Sequence, residues 1–206
     1  MLIDRFLKAV EEGRVEDAGK ALEEGCDVNS RGPDGLTALM LAVRNEDCPM
    51  ASLLLSNGAD AEACSGEEMT VVEHALLKCR FPDMFTLLRK YGAVPDQESL
   101  DAHFRDACSW FPVDMRKLET LLSLGADPDS RLFGPPALHR AVLQHDGKGR
   151  KRDNRPLVRF LLGKGVDPMS LDGEGRSALD KAQEDNGDKE IIDLLTGKMK
   201  QPVFRT

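Results

Sequence analysis

A three-residue signature, glycine followed by a small residue and an acid, returns along this chain at near-constant intervals. It stands at Gly25-Cys26-Asp27, Gly58-Ala59-Asp60, Gly125-Ala126-Asp127 and Gly165-Val166-Asp167, with a weaker copy at Gly92-Ala93-Val94. Successive glycines are 33, 34, 33 and 40 residues apart. A period of this length marks a chain of stacked supersecondary units, each too small to bury its apolar face without a neighbour. One closed central core is not what such a chain can build.

Two further markers run in phase with the glycines. Thr37-Ala38-Leu39, Thr70-Val71-Val72, Pro136-Ala137-Leu138 and Ser177-Ala178-Leu179 are each followed by an alanine, at Ala42, Ala75, Ala141 and Ala182. A leucine pair precedes each glycine at Leu54-Leu55, Leu87-Leu88, Leu121-Leu122 and Leu161-Leu162. Thr, Ser or Pro suits a helix start, where the first N–H groups lack partners. The alanine lets helices approach, the leucines fill the interface, and the glycine ends a second helix in a left-handed turn. Aromatic residues make up only 5% of the chain, so helices packed through small and aliphatic side chains fit better than a sandwich or barrel.

These in-phase markers resemble the ankyrin-repeat family, whose unit has about 33 residues, a T-P-L-H-x-A start and a G-A-D close. The resemblance runs over residues 1–198. It implies an all-α fold, an ankyrin-repeat solenoid of about six stacked helix-turn-helix repeats with hairpin or loop fingers, and a single array. The N-terminal cap is placed at 1–31, full repeats at 32–64, 65–97, 98–130 and 131–171, the C-terminal cap at 172–197, and a loose tail at 199–206. Pro49, Pro82 and Pro156 fall where second helices should begin, the place in a helix where proline costs least.

Two repeats depart from the pattern. Repeat 98–130 has Ala102-His103-Phe104 in place of the usual start, and Ala107 to Gly125 spans 18 residues against 16 from Ala42 to Gly58. The longer turn holds Trp110, the one tryptophan, read either as an interface anchor or as a plug for an irregular turn. In repeat 131–171 the span from Ala141 to Gly165 is 24 residues, and segment 145–156 carries five Lys/Arg against two Asp. This insertion reads as a solvated loop, with anion or nucleic-acid binding through the basic stretch 147–155 (Lys148, Arg150, Lys151 and Arg152), or nuclear targeting, as the alternative. No aromatic is interleaved to stack on bases.

Nothing in the sequence carries the pattern of an enzyme, and no catalytic, cofactor or metal residues are assigned. His139 completes Pro136-Ala137-Leu138-His139, where the family commonly keeps a histidine bonded within the hairpin network. Gly147-Lys148-Gly149-Arg150 lacks the strand and the Ser/Thr of a phosphate loop. Five scattered cysteines without close pairing fit a reducing compartment, so a cytoplasmic location is expected, although an effector secreted into a host cell would look the same. A net charge of −8 gives no reason to expect nucleic acid or anionic membrane.

By the resemblance, the expected activity is protein–protein interaction through the concave groove of fingers and first helices, as an adaptor, scaffold or stoichiometric regulator and as a monomer. Projecting the family's exposed positions gives Leu36, Arg44, Met69, Leu77, Lys78, Trp110, Phe133, Leu143 and Gln144 as partner-binding residues. Ser99 and Asp101 are projected onto the finger of repeat 98–130. Leu36, Met69, Leu77, Phe133 and Leu143 are thus expected as exposed apolar side chains, rimmed by charge.

Overall fold

The computed structural model describes residues 1–66, 68–78, 82–109, 112–132, 134–143, 153–184 and 188–197, and for Lys78 the backbone alone. It divides into two compact units, 1–96 and 97–206. The first holds α1 (Leu2–Glu11), α2 (Val15–Glu23), α3 (Ala38–Arg44), α4 (Cys48–Ser56), α5 (Val71–Lys78) and α6 (Pro82–Lys90). The second holds α7 (Gln97–Ser109), α8 (Met115–Leu124), α9 (Ala137–Ala141), α10 (Arg155–Gly163), α11 (Ala178–Glu184) and α12 (Lys189–Leu195).

Packing repeats with the sequence period. In the first unit α1, α3 and α5 pack in succession, α2, α4 and α6 form a parallel row, and each first helix meets its own second helix. In the second unit α7, α9 and α11 form the corresponding row, and α12 packs on both α10 and α11. The spaced alanines do what their size suggests: Ala42, Ala75, Ala141 and Ala182 are all fully buried, where a larger side chain would force the helices apart. The first repeat turns Phe6, Leu7, Val10, Ala18 and Ala21 inward and leaves Glu11, Glu12, Glu16, Glu23 and Glu24 exposed, as an end repeat must.

Helix starts follow local chemistry. Thr37 Oγ1 accepts from the Met40 amide at 3.3 Å. Thr70 and Glu73 form a reciprocal cap, with Glu73 N donating to Thr70 Oγ1 at 3.2 Å and Thr70 N donating to Glu73 Oε2 at 2.6 Å. Ser177 and Asp180 repeat that exchange at 3.2 and 2.8 Å. Thr37, Thr70 and Ser177 also bridge back to Arg31, Cys64 and Leu171, so one residue closes the finger and opens the helix. Three second helices, α4, α8 and α12, start instead on acids: Asp47, Asp114 and Asp188 each accept from amides of the first turn. Pro49 and Pro156 sit in the first turn and Pro82 opens α6, as the spacing predicts.

The five closing glycines Gly25, Gly58, Gly92, Gly125 and Gly165 have φ of 91°, 85°, 92°, 107° and 85°. A Cβ at any of them would meet nothing within 4 Å. Backbone conformation, not crowding, therefore reserves these sites for glycine.

One junction differs from the expectation. Elsewhere the first helix starts twelve or thirteen residues after the closing glycine, but α7 starts five residues after Gly92. There is no finger here. Ser99 and Asp101, projected onto one, lie inside α7, and Asp101 is buried. The stripe Leu100, Phe104 and Cys108 forms the helix's core face, while Ala107, aligned with the buried alanines, is only half-buried.

Candidate functional site

Polar side chains hold three of the closing loops. In the first unit Asn29 does this, its Oδ1 accepting from Asp60 N at 2.8 Å and its Nδ2 donating to the Gly58 carbonyl at 3.5 Å. In the second unit Asp129 Oδ2 accepts from Asp167 N at 3.3 Å. In the repeat without a finger, α7 supplies bonds to the closing loop that follows α8. Asp101 Oδ1 accepts from Asp127 N at 2.7 Å, and Gln97 Nε2 donates to the Gly125 carbonyl at 3.0 Å and to Asp101 Oδ1 at 2.7 Å. One turn of helix thus reproduces what an Asx loop does elsewhere.

His139 is buried and its Nε2 lies 2.9 Å from the Arg176 carbonyl, to which it must donate because a carbonyl only accepts. That bond ties α9 to the finger before α11, a structural task. Arg31 does similar work in the first unit, donating to the carbonyls of Gly35 at 2.8 Å and Cys64 at 2.7 Å.

Of the residues projected as partner-binding, the first unit contains five. Arg44 lies at the end of α3 with Nη1 3.8 Å from Asp34 Oδ2 of the finger tip, both side chains open to solvent. Leu77, on the last turn of α5, is 50% exposed. Met69, in the finger before α5, is half-buried. Leu36 corrects the expectation of exposure: at 8% it is buried. The finger folds tightly on itself, with Gly32 N donating to the Leu36 carbonyl at 2.9 Å and Gly35 N to the Gly32 carbonyl at 3.0 Å. This leaves Leu36 at the base, beside buried Thr37, not at the tip. The Lys78 side chain lies outside the described residues.

In the second unit Leu143, just beyond α9, is 39% exposed, and its carbonyl accepts from Asn154 Nδ2 across the base of the insertion. Leu132, in the finger before α9, is 51% exposed. Trp110, Phe133 and Gln144 lie outside the described residues, as do Lys148, Arg150, Lys151 and Arg152, so the anion-binding alternative has no geometry to draw on.

Ionisable groups cluster at the C-terminal repeat. Asp172 accepts from the amides of Glu174 at 2.9 Å and Arg176 at 3.0 Å and pairs with Lys181 Nζ at 3.2 Å. The Arg176 amide and then Lys181 hold its carboxyl below the usual range. The Ser177 hydroxyl and amide do the same for Asp180, and Arg155 does so for Asp153. A depressed folded value stabilises above the unfolded pKa, about 3.9, and that contribution is lost as pH falls through the folded value. Amide-exchange protection in α11 and α12 is therefore expected to hold at neutral pH and to decline below about pH 4; unchanged protection in acid would contradict it.

The four described cysteines are free. Burial pushes the Cys108 thiol up to about 12, with the nearby Arg140 pulling the other way. Burial and the carboxylates of Asp83, Asp47 and Glu46 raise Cys48. Cys64 is exposed. A thiol titration at pH 8 is expected to label Cys64 quickly and Cys108 only on unfolding, read by peptide mass spectrometry. Among the described residues no cluster of His, Cys, Asp and Glu could hold a metal ion, and no helix is long and apolar enough to cross a membrane.

Helix-turn-helix repeats with fingers, capped and closed in this way, define a repeat-built helical solenoid. A family model described as Ankyrin repeats (3 copies) matches residues 6–99. The chain is 26% identical over 205 residues to protein glp-1 of Caenorhabditis elegans, covering 90% of this chain and 15% of that protein. It is 27% identical over 196 residues to the mitochondrial disaggregase of Bos taurus, covering 92% and 22%. The chain therefore spans a small part of those two relatives. The putative ankyrin repeat protein YahD of Escherichia coli (strain K12) is 24% identical over 195 residues, with 92% and 93% covered.

Among solved structures, EF0377, an ankyrin repeat protein, superposes with a TM-score of 0.65 at 22% identity, covering 96% of this chain and 98% of that one. A chain in the complex of the predatory endopeptidase Bd0816 from Bdellovibrio bacteriovorus with immunity protein Bd3460 gives 0.60 at 22% identity, covering 95% and 98%. Residues 6–99 thus match the ankyrin-repeat family, and the chain shares the fold of solved ankyrin-repeat structures. Ankyrin repeats generally serve as protein–protein interaction modules, and the family is typically non-enzymatic.

Proposed function

We propose that this chain binds a partner protein through the side of its repeats formed by fingers and first helices, and that it works by occupancy, not by catalysis. The observation that carries this reading is the placement of exposed apolar side chains. Leu77 lies on the last turn of first helix α5, Leu143 follows first helix α9, and Leu132 stands on the finger before α9. Single exposed leucines are ordinary. Here, however, Leu132 and Leu143 flank one five-residue helix within one repeat, and each keeps 39% or more of its surface in water. The repeat alignment projects Trp110, Phe133 and Gln144 as partner-binding too, and Leu77, Arg44, Met69 and Lys78 are the projected positions in the first unit. Leu36 takes no part, since its side chain is buried. The solved complex of an endopeptidase with an immunity protein shows this fold in a protein–protein assembly, consistent with an adaptor or a stoichiometric regulator.

The test is affinity capture from an extract of the native host, comparing the wild-type chain with a Leu132→Asp/Leu143→Asp variant whose fold is verified by circular dichroism. A protein captured stoichiometrically by the wild type and lost from the variant supports the reading. Equal capture by both overturns it.

A further inference from the structure

Four arginines among the described residues are half-buried: Arg105, Arg140, Arg155 and Arg176. Three of them have carboxylates. Arg155 pairs with Asp153 at 2.8 Å and Glu190 at 3.0 Å. Arg176 pairs with Glu184 at 3.0 Å and with Glu174, and Arg105 lies 3.7 Å from Asp106. Among the described residues, no carboxylate lies within 4 Å of Arg140. Its Nη1 donates to the Ser109 hydroxyl at 2.9 Å, and its Nε is buried with no hydrogen-bond partner. Taking a guanidinium partly out of water without a counter-charge is costly, and in a chain of net charge −8 acids are not scarce. The missing carboxylate is the feature to explain.

Its position gives the explanation. Arg140 lies on α9 of the second unit, three residues before the exposed Leu143. Its Nη2 lies 3.6 Å from where a Cβ on Gly134 would stand, so the guanidinium comes against the finger that carries exposed Leu132. The Ser109 hydroxyl in turn donates to the Arg105 carbonyl at 3.2 Å, which fixes the Arg140 fork against α7. Arg105 itself braces the same finger through the Leu132 carbonyl at 2.5 Å. A positioned fork of donors, flanked by two exposed leucines, is a receptor for an anion carried on an apolar segment.

We propose that Arg140, oriented by Ser109, receives an aspartate or glutamate side chain of the partner polypeptide, with Leu132 and Leu143 taking apolar residues on either side of it. This rests on the protein-binding reading above and specifies the chemistry of the partner: a segment in which an acid sits between apolar residues. One uncompensated positive charge and one hydroxyl match a monoanionic carboxylate, whereas phosphate groups are generally met by clusters of cations.

The test is selection of peptides from a phage-displayed library of random dodecapeptides on the full-length chain, followed by fluorescence anisotropy with the enriched peptides. The expected peptides carry Asp or Glu next to apolar residues, and their affinity falls as salt is raised. Arg140→Gln is expected to weaken binding roughly ten- to a hundredfold, the range of a hydrogen-bonded charge pair. Amidating the peptide's acid should cost the same, with no further loss when both changes are combined. Arg140→Lys, which keeps the charge and loses the fork, should lose less. Peptides that bind without an acid, or with affinity indifferent to salt and to Arg140→Gln, yet are lost on Leu132→Asp/Leu143→Asp, overturn the carboxylate site and leave the protein-binding reading standing. Absence of any binding peptide, or binding indifferent to all of these changes, overturns both.

Discussion

Phe104→Ala is expected to destabilise the unit 97–206 by about 3–5 kcal/mol, the cost of deleting a fully buried phenylalanine. Phe104 is 0% exposed and stands on α7 where the other repeats carry Leu39, Val72 and Leu138. It is thus the bulkiest residue of its column, and α7 packs against both α8 and α9, so the space it fills opens onto two helices. Both neighbours are anchored independently, α8 by the Asp114 cap and α9 by the His139 bond to the Arg176 carbonyl. Collapse into the cavity is therefore incomplete, and the cost should lie in the upper part of the range for buried apolar residues. Urea unfolding followed by circular dichroism gives the number, with Phe104→Leu as a control that should cost less than about 2 kcal/mol. A loss below about 1 kcal/mol for the alanine variant would show that this helix is not held by its core face.

Asp101→Ala is expected to cost about 1.5–3 kcal/mol, the range for a hydrogen bond to a charged group whose partners lose it. The Asp127 amide and the Gln97 side chain both donate to one Asp101 oxygen at 2.7 Å, and the carboxylate is 5% exposed. Removing it frees the closing loop at Gly125–Asp127 from α7 on one side, since Gln97 retains only its bond to the Gly125 carbonyl. Asp101→Asn keeps an acceptor in the same place and should recover more than half of the loss. Equal losses for Ala and Asn would mean that charge, and not the positioned acceptor, holds the loop.

These two residues also show where the sequence was legible. The closing glycines, the starts at Thr37, Thr70 and Ser177, the prolines of the second helices and the buried alanines all follow from short-range rules, and the repeat period amplifies each. Asp101 did not, because repeat alignment assigned it to a finger. Pro95-Asp96 ahead of Gln97-Glu98 carries the local signals of a helix start, and that reading would have found α7. Leu36 was misplaced for a related reason: exposure was inherited from a repeat position, while the tight turn from Gly32 to Leu36 sets it at the finger's base. Arg140 gave no signal at all. An arginine on a short helix reads as solvated, and the lack of a carboxylate around it is a property of α7, the finger and α9 together.

Leu77 and Leu143 were named from position and are exposed in the structure. Whether exposure there means occupancy by a partner is the central claim, and photo-crosslinking in the native host tests it most directly. A photoreactive amino acid in place of Leu143 is compared with one in place of Glu119, an exposed residue on second helix α8 of the same unit. Adducts to one protein from position 143, and none to it from position 119, are the predicted result. Adducts to that protein from position 119 alone would place the partner on the second-helix side and contradict the account.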